Sequence, residues 1–547
     1  MIKILKKNHN TILIFIIPLI LVSIGFSIYR DYGISLDEEI SRNNGLVSIK
    51  YICDFLFPQY TNNFDLIKNV PDLKNYGFDK IYGAFFDILL IAIIEILFQV
   101  KSFSEIFYYR HLLNHYLFII SVICFYFICL NLFKNKLYCF FGAAILYTSP
   151  RIFAESFYNN KDLAFLSFFI FLILFSIKFI KRPNYYNAFL LSIFSAFAIH
   201  IRFVAIYISI LIALFFIIEL LMKNKVEIKK INILIFLFIS QFFFLYLIWP
   251  FLWEDPINNF LYIIKTTSNF EWGGYIFYLG EFYKSRLLPW HYLIVSFLAT
   301  TPILISIIIS GGLIQLTLRF FKRLINIEDE KQHNDIWRSE KEKIFLFILF
   351  AVFIPIFLNF LHPAIYNSWR HFFFLFPPLI LLSVYFINII FQKYRKKKII
   401  YFINSFLIII LLNNIYNLVT LHPFQYIYFN SIFEKKANKL FEIDYWGVSN
   451  KFALEQIVKD NFNKDKITIG VASFTNLYFS KKMLDEEIKN KLIISGQDFN
   501  NADFIYNNNY FEVDPKYDDK YSIPKNYKKY SEFKKGKILI SEFYIKK

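Results

Sequence analysis

Apolar residues in this chain run in long unbroken blocks, without the alternation of a half-buried strand or the single stripe of a surface helix. Such blocks have the reach of membrane spans, since about 20 apolar residues cross a hydrocarbon core of about 30 Å. They predict eleven spans, near 11–28, 111–133, 137–149, 163–180, 185–200, 203–221, 231–250, 291–318, 344–361, 371–391 and 399–419. Several, including 137–149, are short for a crossing and must extend into their flanks. One further block, Ile81 to Phe98, carries Asp87 and Glu95. Each acid costs about 2.5–3.5 kcal/mol at a bilayer centre, so whether this block crosses needs separate evidence.

The distribution of Lys and Arg supplies it. If 81–98 does not cross, one side of the membrane holds 21 Lys and Arg in short clusters, against seven on the other side. That bias places the basic clusters in the cytoplasm and makes 81–98 an interfacial or re-entrant helix within an external first loop, 29–110. Met1 to Asn10 is basic and no small-residue cleavage site follows the first apolar block, so that block is expected to stay as an anchor with a cytoplasmic N-terminus. After Thr420 the composition changes to mixed charge, Asn and Tyr. Short β-rich runs appear at Ile467–Ala472, Leu492–Ser495, Asp503–Tyr506 and Ile538–Ile545. The expected architecture is an α-helical polytopic membrane domain, 1–419, with about eleven spans and an interfacial helix. A small extracytoplasmic α/β domain, 420–547, follows it.

Composition agrees with a bilayer as solvent: 57% of residues are hydrophobic, with 71 Phe and 38 Tyr. The formal charge of +18 would suit nucleic acid, but its concentration between apolar blocks is what membrane orientation requires, so no nucleic-acid partner is expected. The four cysteines have no metal or redox spacing, and no disulfide framework is expected.

Candidate chemistry gathers on the external side. Ser35-Leu-Asp37-Glu38-Glu39 follows the first span, with Ser35 a plausible N-cap and Glu38 three residues on. An acidic triplet there suits helix capping equally with a carboxylate that accepts a proton from a hydroxyl. A second acidic site runs from Ser149-Pro150-Arg151 through Glu155 to Asn159-Asn160-Lys161-Asp162. Cations face the same side: Lys80 at the start of the interfacial block, His200 and Arg202 in a tight turn, and Arg370 and His371 opening a later span. Single basic residues at span ends usually snorkel to water. Several on one face, beside two carboxylate sites, suit an anion such as a lipid-linked phosphate. The long loop 251–290 carries Trp272 beside Gly273-Gly274, open to either an interface belt or sugar stacking, while Trp290 and Tyr292 read as belt residues. No metal-ligand cluster, Gly-rich phosphate loop or cofactor site is visible, and a divalent metal stays open.

These motifs together resemble the family 39 and ArnT-like glycosyltransferases, the protein O-mannosyltransferases and their bacterial relatives in the C-type superfamily. Asp37-Glu38 resembles the acidic motif of their first external loop, and Lys80-Ile81-Tyr82 the interfacial helix whose Lys contacts donor phosphate. Phe141 to Pro150 followed by Asp162 is similar to their second acidic loop, and Arg202 to a basic residue at a later turn. Trp249-Pro250, Leu288 to Tyr292 and Arg370 to Pro377 are also similar. Glu39 extends the acidic pair, leaving the identity of the base open with Asp37 preferred; Glu155 rivals Asp162. The tail, with Asp444-Tyr445-Trp446-Gly447, departs from the luminal domains of the eukaryotic mannosyltransferases, so no acceptor carries over.

The resemblance implies an inverting transfer of a sugar from a polyprenyl-phosphate donor, at the periplasmic face of a bacterial inner membrane, to a hydroxyl of a lipid, glycan or protein. In that reading Asp37 is the base, and Glu38 and Asp162 position substrate. Lys80, Arg202, His200 and Arg370 hold donor phosphate, and Tyr82 and Trp272 contact substrate. The alternatives are a polytopic lipid or solute transporter, which calls for charges near the bilayer midplane, or a glycan ligase or polymerase.

Overall fold

The computed structural model describes residues 16–61, 64–222, 227–270, 272–325, 339–394 and 396–547. Residues 11–15 of the first predicted span, Lys223, Lys225, Lys331, Arg338 and Arg395 of the basic loops, and Glu271 lie outside the described residues. Among those described, eight helices are long and apolar enough to cross a membrane. They are Phe103–Leu132, Asp162–Lys181, Phe203–Leu221, Ile228–Ile248, Ile303–Lys322, Glu340–Leu361, Arg370–Lys393 and Lys397–Leu421. Lys136–Thr148 and Pro150–Tyr158 make a ninth if taken as one span bent by 59°, and Ile16–Ile28 and Tyr185–Ile201 are shorter apolar helices. The chain is a mostly helical, multi-pass membrane protein.

Two predicted elements change shape, both at prolines. The block 291–318 is two helices, Tyr292–Thr300 and Ile303–Ile325, because Pro302 lacks an N–H and forces Thr301 into extended backbone. The connection expected after residue 149 is instead a buried helix, Pro150–Tyr158, with Pro150 in its first turn where a missing N–H costs nothing. That helix turns the chain back so that Asp162 opens the next one. In the most apolar stretch of Asp162–Lys181, the central post of the bundle, 89% of residues are buried, against 22% in those of Ile228–Ile248 and Lys397–Leu421, which face outward.

The block 81–98 forms a helix of seven residues, Phe85–Ile91, continued by a π-helical turn, Ala92–Leu97, too short to cross. Its two acids are paired. Arg42 reaches Glu95 at 2.5 Å and 2.8 Å, and Asp87 takes Arg110 at 2.5 Å and the Asn160 amide at 2.6 Å. Gly45 lets the helix Glu38–Leu56 lie directly on this segment: a Cβ there would stand 2.6 Å from Ile91 Cδ1.

Loop 251–290 contains a hairpin that the sequence pattern did not reveal, β1 (Tyr275–Tyr278) and β2 (Glu281–Lys284). Its turn, Leu279-Gly280, has φ of 52° and 90°, a tight-turn conformation. The hairpin docks on the C-terminal region: Tyr275 N–H donates to Glu512 O at 2.9 Å, and Phe277 N–H to Glu442 Oε1 at 3.1 Å.

After the last long helix the chain builds a five-stranded sheet from β3 (Ile467–Val471), β4 (Leu492–Gly496), β5 (Phe504–Asn507), β6 (Tyr527–Lys535) and β7 (Ile538–Lys546), in the order β4-β3-β5-β7-β6. The pairs β3–β4 and β3–β5 are parallel; β5–β7 and β6–β7 are antiparallel. Four of these strands follow the predicted runs. The fifth, β6, was not legible because Tyr-Lys-Lys-Tyr-Ser-Glu-Phe-Lys-Lys reads as a solvated charged segment, which is how an edge strand avoids further pairing. The sheet has its own small core around Leu454, Ile469, Phe504 and Phe543. Tyr445, Trp446 and Tyr510 instead join the core of the membrane helices.

The buried Arg110–Asp87 pair gives a test. Arg110→Leu leaves Asp87 without its guanidinium and should destabilise the protein by about 3–5 kcal/mol in detergent unfolding, while adding Asp87→Leu should restore much of the loss. Equal destabilisation by the single and double variants would contradict this pairing.

Candidate active site

Six segments far apart in sequence meet at one end of the bundle. The helix Glu38–Leu56 begins just after Asp37, and the two neighbouring acids turn away. Glu38 is buried, its Oε2 accepting the Ser35 N–H at 2.7 Å, half of the predicted capping box, and its Oε1 lying 3.0 Å from His111 Nε2. Glu39 faces Arg42 at 3.9 Å. Asp37 is the member of the triplet directed at the other charged segments, and its side chain remains 32% exposed.

Arg370, 3% exposed, lies at the centre. Its Nη1 is shared by two carboxylates, 3.0 Å from Asp37 Oδ2 and 3.7 Å from Asp162 Oδ2. Its Nη2 donates to the Tyr445 hydroxyl at 3.0 Å. The flat guanidinium is boxed by rings, 4.6 Å from the centroid of Tyr366 and 4.7 Å from those of Tyr445 and Trp446. Arg is the cation whose planar group can stack on aromatics and still donate in its plane. Asp162 Oδ1 is also gripped by Arg202 Nη2, and Asn159 braces it, donating to Oδ2 at 3.2 Å and accepting the Asp162 N–H at 2.9 Å. Asn159 donates to Glu155 at 2.8 Å as well, so Glu155 lies behind Asp162 as its buried support.

Lys161 completes the cluster. Its ammonium stands 3.4 Å from the centroid of the Tyr82 ring. Burial, followed by the nearby Arg202, holds its pKa down to about 8 despite the opposing pull of Asp37 and Asp162. Tyr82 is placed by Gly83, where a Cβ would fall 1.7 Å from His200 O, so the interfacial segment reaches the end of Tyr185–Ile201 only because residue 83 has no side chain.

The fold thus brings Asp37, Asp162, Arg202, Arg370 and Tyr82 together, with Glu38 buried beside them. Trp272 is one ring further out, stacked on Tyr366 at 4.7 Å. Two expected phosphate ligands lie elsewhere. Lys80 stands 5.7 Å over the Tyr262 ring, in an open groove of about 400 Å³ with Lys74, Glu254 and Asn258. His200 is buried, edge-on to Trp249 at 5.1 Å, with neither ring nitrogen hydrogen-bonded among the described residues. Tyr292 is not a belt residue: it is buried, and its hydroxyl accepts the Ser368 N–H at 2.8 Å, whereas Trp290 is 62% exposed.

Among solved structures, the chain is similar to the crystal structure of ArnT from Cupriavidus metallidurans bound to undecaprenyl phosphate. The identity is 9%, the TM-score 0.46, and the match covers 98% of each chain. No protein-family profile matches the sequence, and no curated protein matches it.

Sequence reasoning missed Tyr445, Trp446 and Tyr366, and the placing of Lys161 on the Tyr82 ring. The one available signal was Asp444-Tyr445-Trp446-Gly447, an aromatic pair inside a polar tail. The turn is built firmly: Asp444 Oδ1 takes the Tyr426 hydroxyl at 2.6 Å and the Gly447 N–H at 3.1 Å, its Oδ2 takes Ser449 at 2.5 Å, and its carbonyl takes Asn508 at 3.0 Å. Gly447 has a φ of 66°, which favours glycine. Trp446 O also accepts the Leu36 N–H at 3.0 Å, tying the turn to the Asp37 loop.

Gly83→Ala should cost about 1–3 kcal/mol of stability in thermal unfolding, because backbone must move to admit the methyl. Gly273→Ala, whose Cβ would meet nothing within 4 Å, should change it by less than about 0.5 kcal/mol. Equal effects would mean that the interfacial segment does not lie against His200.

Proposed function

We propose that the protein is an inverting glycosyltransferase that moves a sugar from a polyprenyl-phosphate carrier to a hydroxyl acceptor. The supporting observation is the pair of carboxylates, Asp37 partly open and Asp162 buried, held by Arg370 and Arg202 at one end of the helical bundle. The motifs carrying these residues are those that resemble the C-type transferases. The opposite end gathers Lys178, Lys181, Lys341 and Lys393 at helix termini, so the carboxylates would face the periplasm if the basic end faces the cytoplasm.

In this reading Asp37 accepts the proton of the acceptor hydroxyl as that oxygen attacks the anomeric carbon. The bond from that carbon to the phosphate oxygen breaks, and its electron pair leaves on the phosphate, whose charge rises from minus one to minus two. Asp162, saturated by Arg202, Arg370 and Asn159, is unsuited to accept a proton and instead fixes both guanidinium groups. Arg370 and Arg202 oppose the charge growing on the phosphate, where preorganised donors in a partly dehydrated site are most effective. Glu38 and Glu155 act at one remove, bracing Asp37 and Asp162. The donor sugar and the acceptor are left open by these groups.

The test uses purified protein, radiolabelled polyprenyl-phosphate sugar and envelope extract as acceptor. Label should move to an acceptor with the wild type, and about 10²–10⁴-fold more slowly with Asp37→Asn. Arg370→Lys keeps the charge but loses the planar fork, and should slow transfer by about tenfold or more. Lipid moving between leaflets without a new glycosidic bond would favour a transporter and contradict the proposal.

A further inference from the structure

The charges at the site leave one ammonium unspent. Arg202 and Arg370 are matched to Asp162 and Asp37, but the Lys161 ammonium has no hydrogen bond or ion pair among the described residues. Its neighbour there is the face of Tyr82. Lys161 is half-buried, and an ammonium laid on an aromatic face has given up part of its hydration for a weaker attraction, so an anion would be a stronger partner. Asp162, next to it in sequence, is already taken by two guanidinium groups and an amide.

Each element packed around Lys161 contributes charge. Asp37 from the first loop, Asp162 from its own helix, and Asp79 and Asp87 from the interfacial segment favour its proton. Arg202 and Arg370 oppose it, and His371 lies close enough to interact. Across Lys161, Arg202, Arg370, Asp37 and Asp162 the formal balance is one positive charge, opposite in sign to one phosphodiester anion, and Asp79 of the interfacial segment brings it to zero. When the proton passes to Asp37 and the phosphate gains a charge, the total at the site is unchanged.

We propose that Lys161 is the ligand of the donor's lipid-linked phosphate, the part that sequence alone gives to Lys80, and that Tyr82 holds the ammonium in place until the phosphate arrives. This rests on the glycosyltransfer reading above and names a residue for it. Lys161 makes and breaks no covalent bond; it stays protonated and donates hydrogen bonds to phosphate oxygen. Since the charged form is the binding form, affinity is full below about pH 8 and falls as pH rises above it. The bound phosphate favours the proton and moves that fall somewhat upward.

The experiment measures binding of undecaprenyl phosphate, without sugar, to the full chain in detergent, with inorganic phosphate as a parallel probe. Wild type should bind the lipid at pH 7 and lose affinity by pH 9. Lys161→Met should weaken binding by about ten- to a hundredfold, the worth of one charged hydrogen bond. Lys161→Arg should recover most of the affinity and keep it at pH 9. The pH series on wild type needs no folded variant, so misfolding of Lys161→Met would not obscure the result. Wild-type binding that is unaffected by both pH and Lys161→Met would overturn the assignment and leave the glycosyltransfer reading standing. No wild-type binding, or binding of inorganic phosphate alone, would overturn both.

Discussion

A guanidinium buried at one end of a helical bundle needs opposing charge at its edge and rings on its faces, and supplying them to Arg370, whose Nε has no partner among the described residues, organises this protein. Asp37 and Asp162 share one nitrogen, Tyr445 takes another, and Tyr366, Tyr445 and Trp446 cover the faces. These partners come from the segment before Glu38–Leu56, the first turn of Asp162–Lys181, the connection leading into Arg370 and the C-terminal region. None of the four can shift without exposing or stranding the charge. The C-terminal α/β region is therefore part of the site: its Asp444–Gly447 turn forms one wall, and the β1–β2 hairpin fastens the remainder to the membrane helices.

The acids and bases divide by what they are paired with. Asp87, Glu95, Glu38 and Glu155 are each consumed by a structural partner: Arg110, Arg42, the Ser35 N–H and Asn159. Asp37 alone among these carboxylates combines a cation partner with substantial exposure, a combination that suits proton transfer. Lys161 is its counterpart among the cations, placed at the site with its charge unmatched.

What could be read from sequence follows from the range of each signal. Apolar block length is a local property, and it located the helices; Pro302 and Pro150 then broke or bent them for reasons equally visible in the chain. The acids of 81–98 marked that block as non-spanning, though not their partners. Side-chain direction was not local. Lys80 and Lys161 both lie beside aromatics, and it is the folded packing, with Gly83 against His200, that sets Lys161 on Tyr82 and Lys80 on Tyr262. Tyr445 lies 75 residues beyond Arg370 in a segment whose composition says only that it is outside the bilayer, so its part in the site becomes visible only once the chain is folded.

The account depends on Asp37, Lys161 and Arg202 sharing one water–lipid boundary, away from the basic end of the bundle. Single cysteines at these three positions, in a chain with its four native cysteines replaced, can be probed with a membrane-impermeant thiol reagent on intact spheroplasts. The account predicts that all three react from outside, while a cysteine at Lys181 reacts only after lysis. Reaction of Asp37 and Arg202 positions from opposite sides would separate the two carboxylate sites by the thickness of the membrane and contradict it.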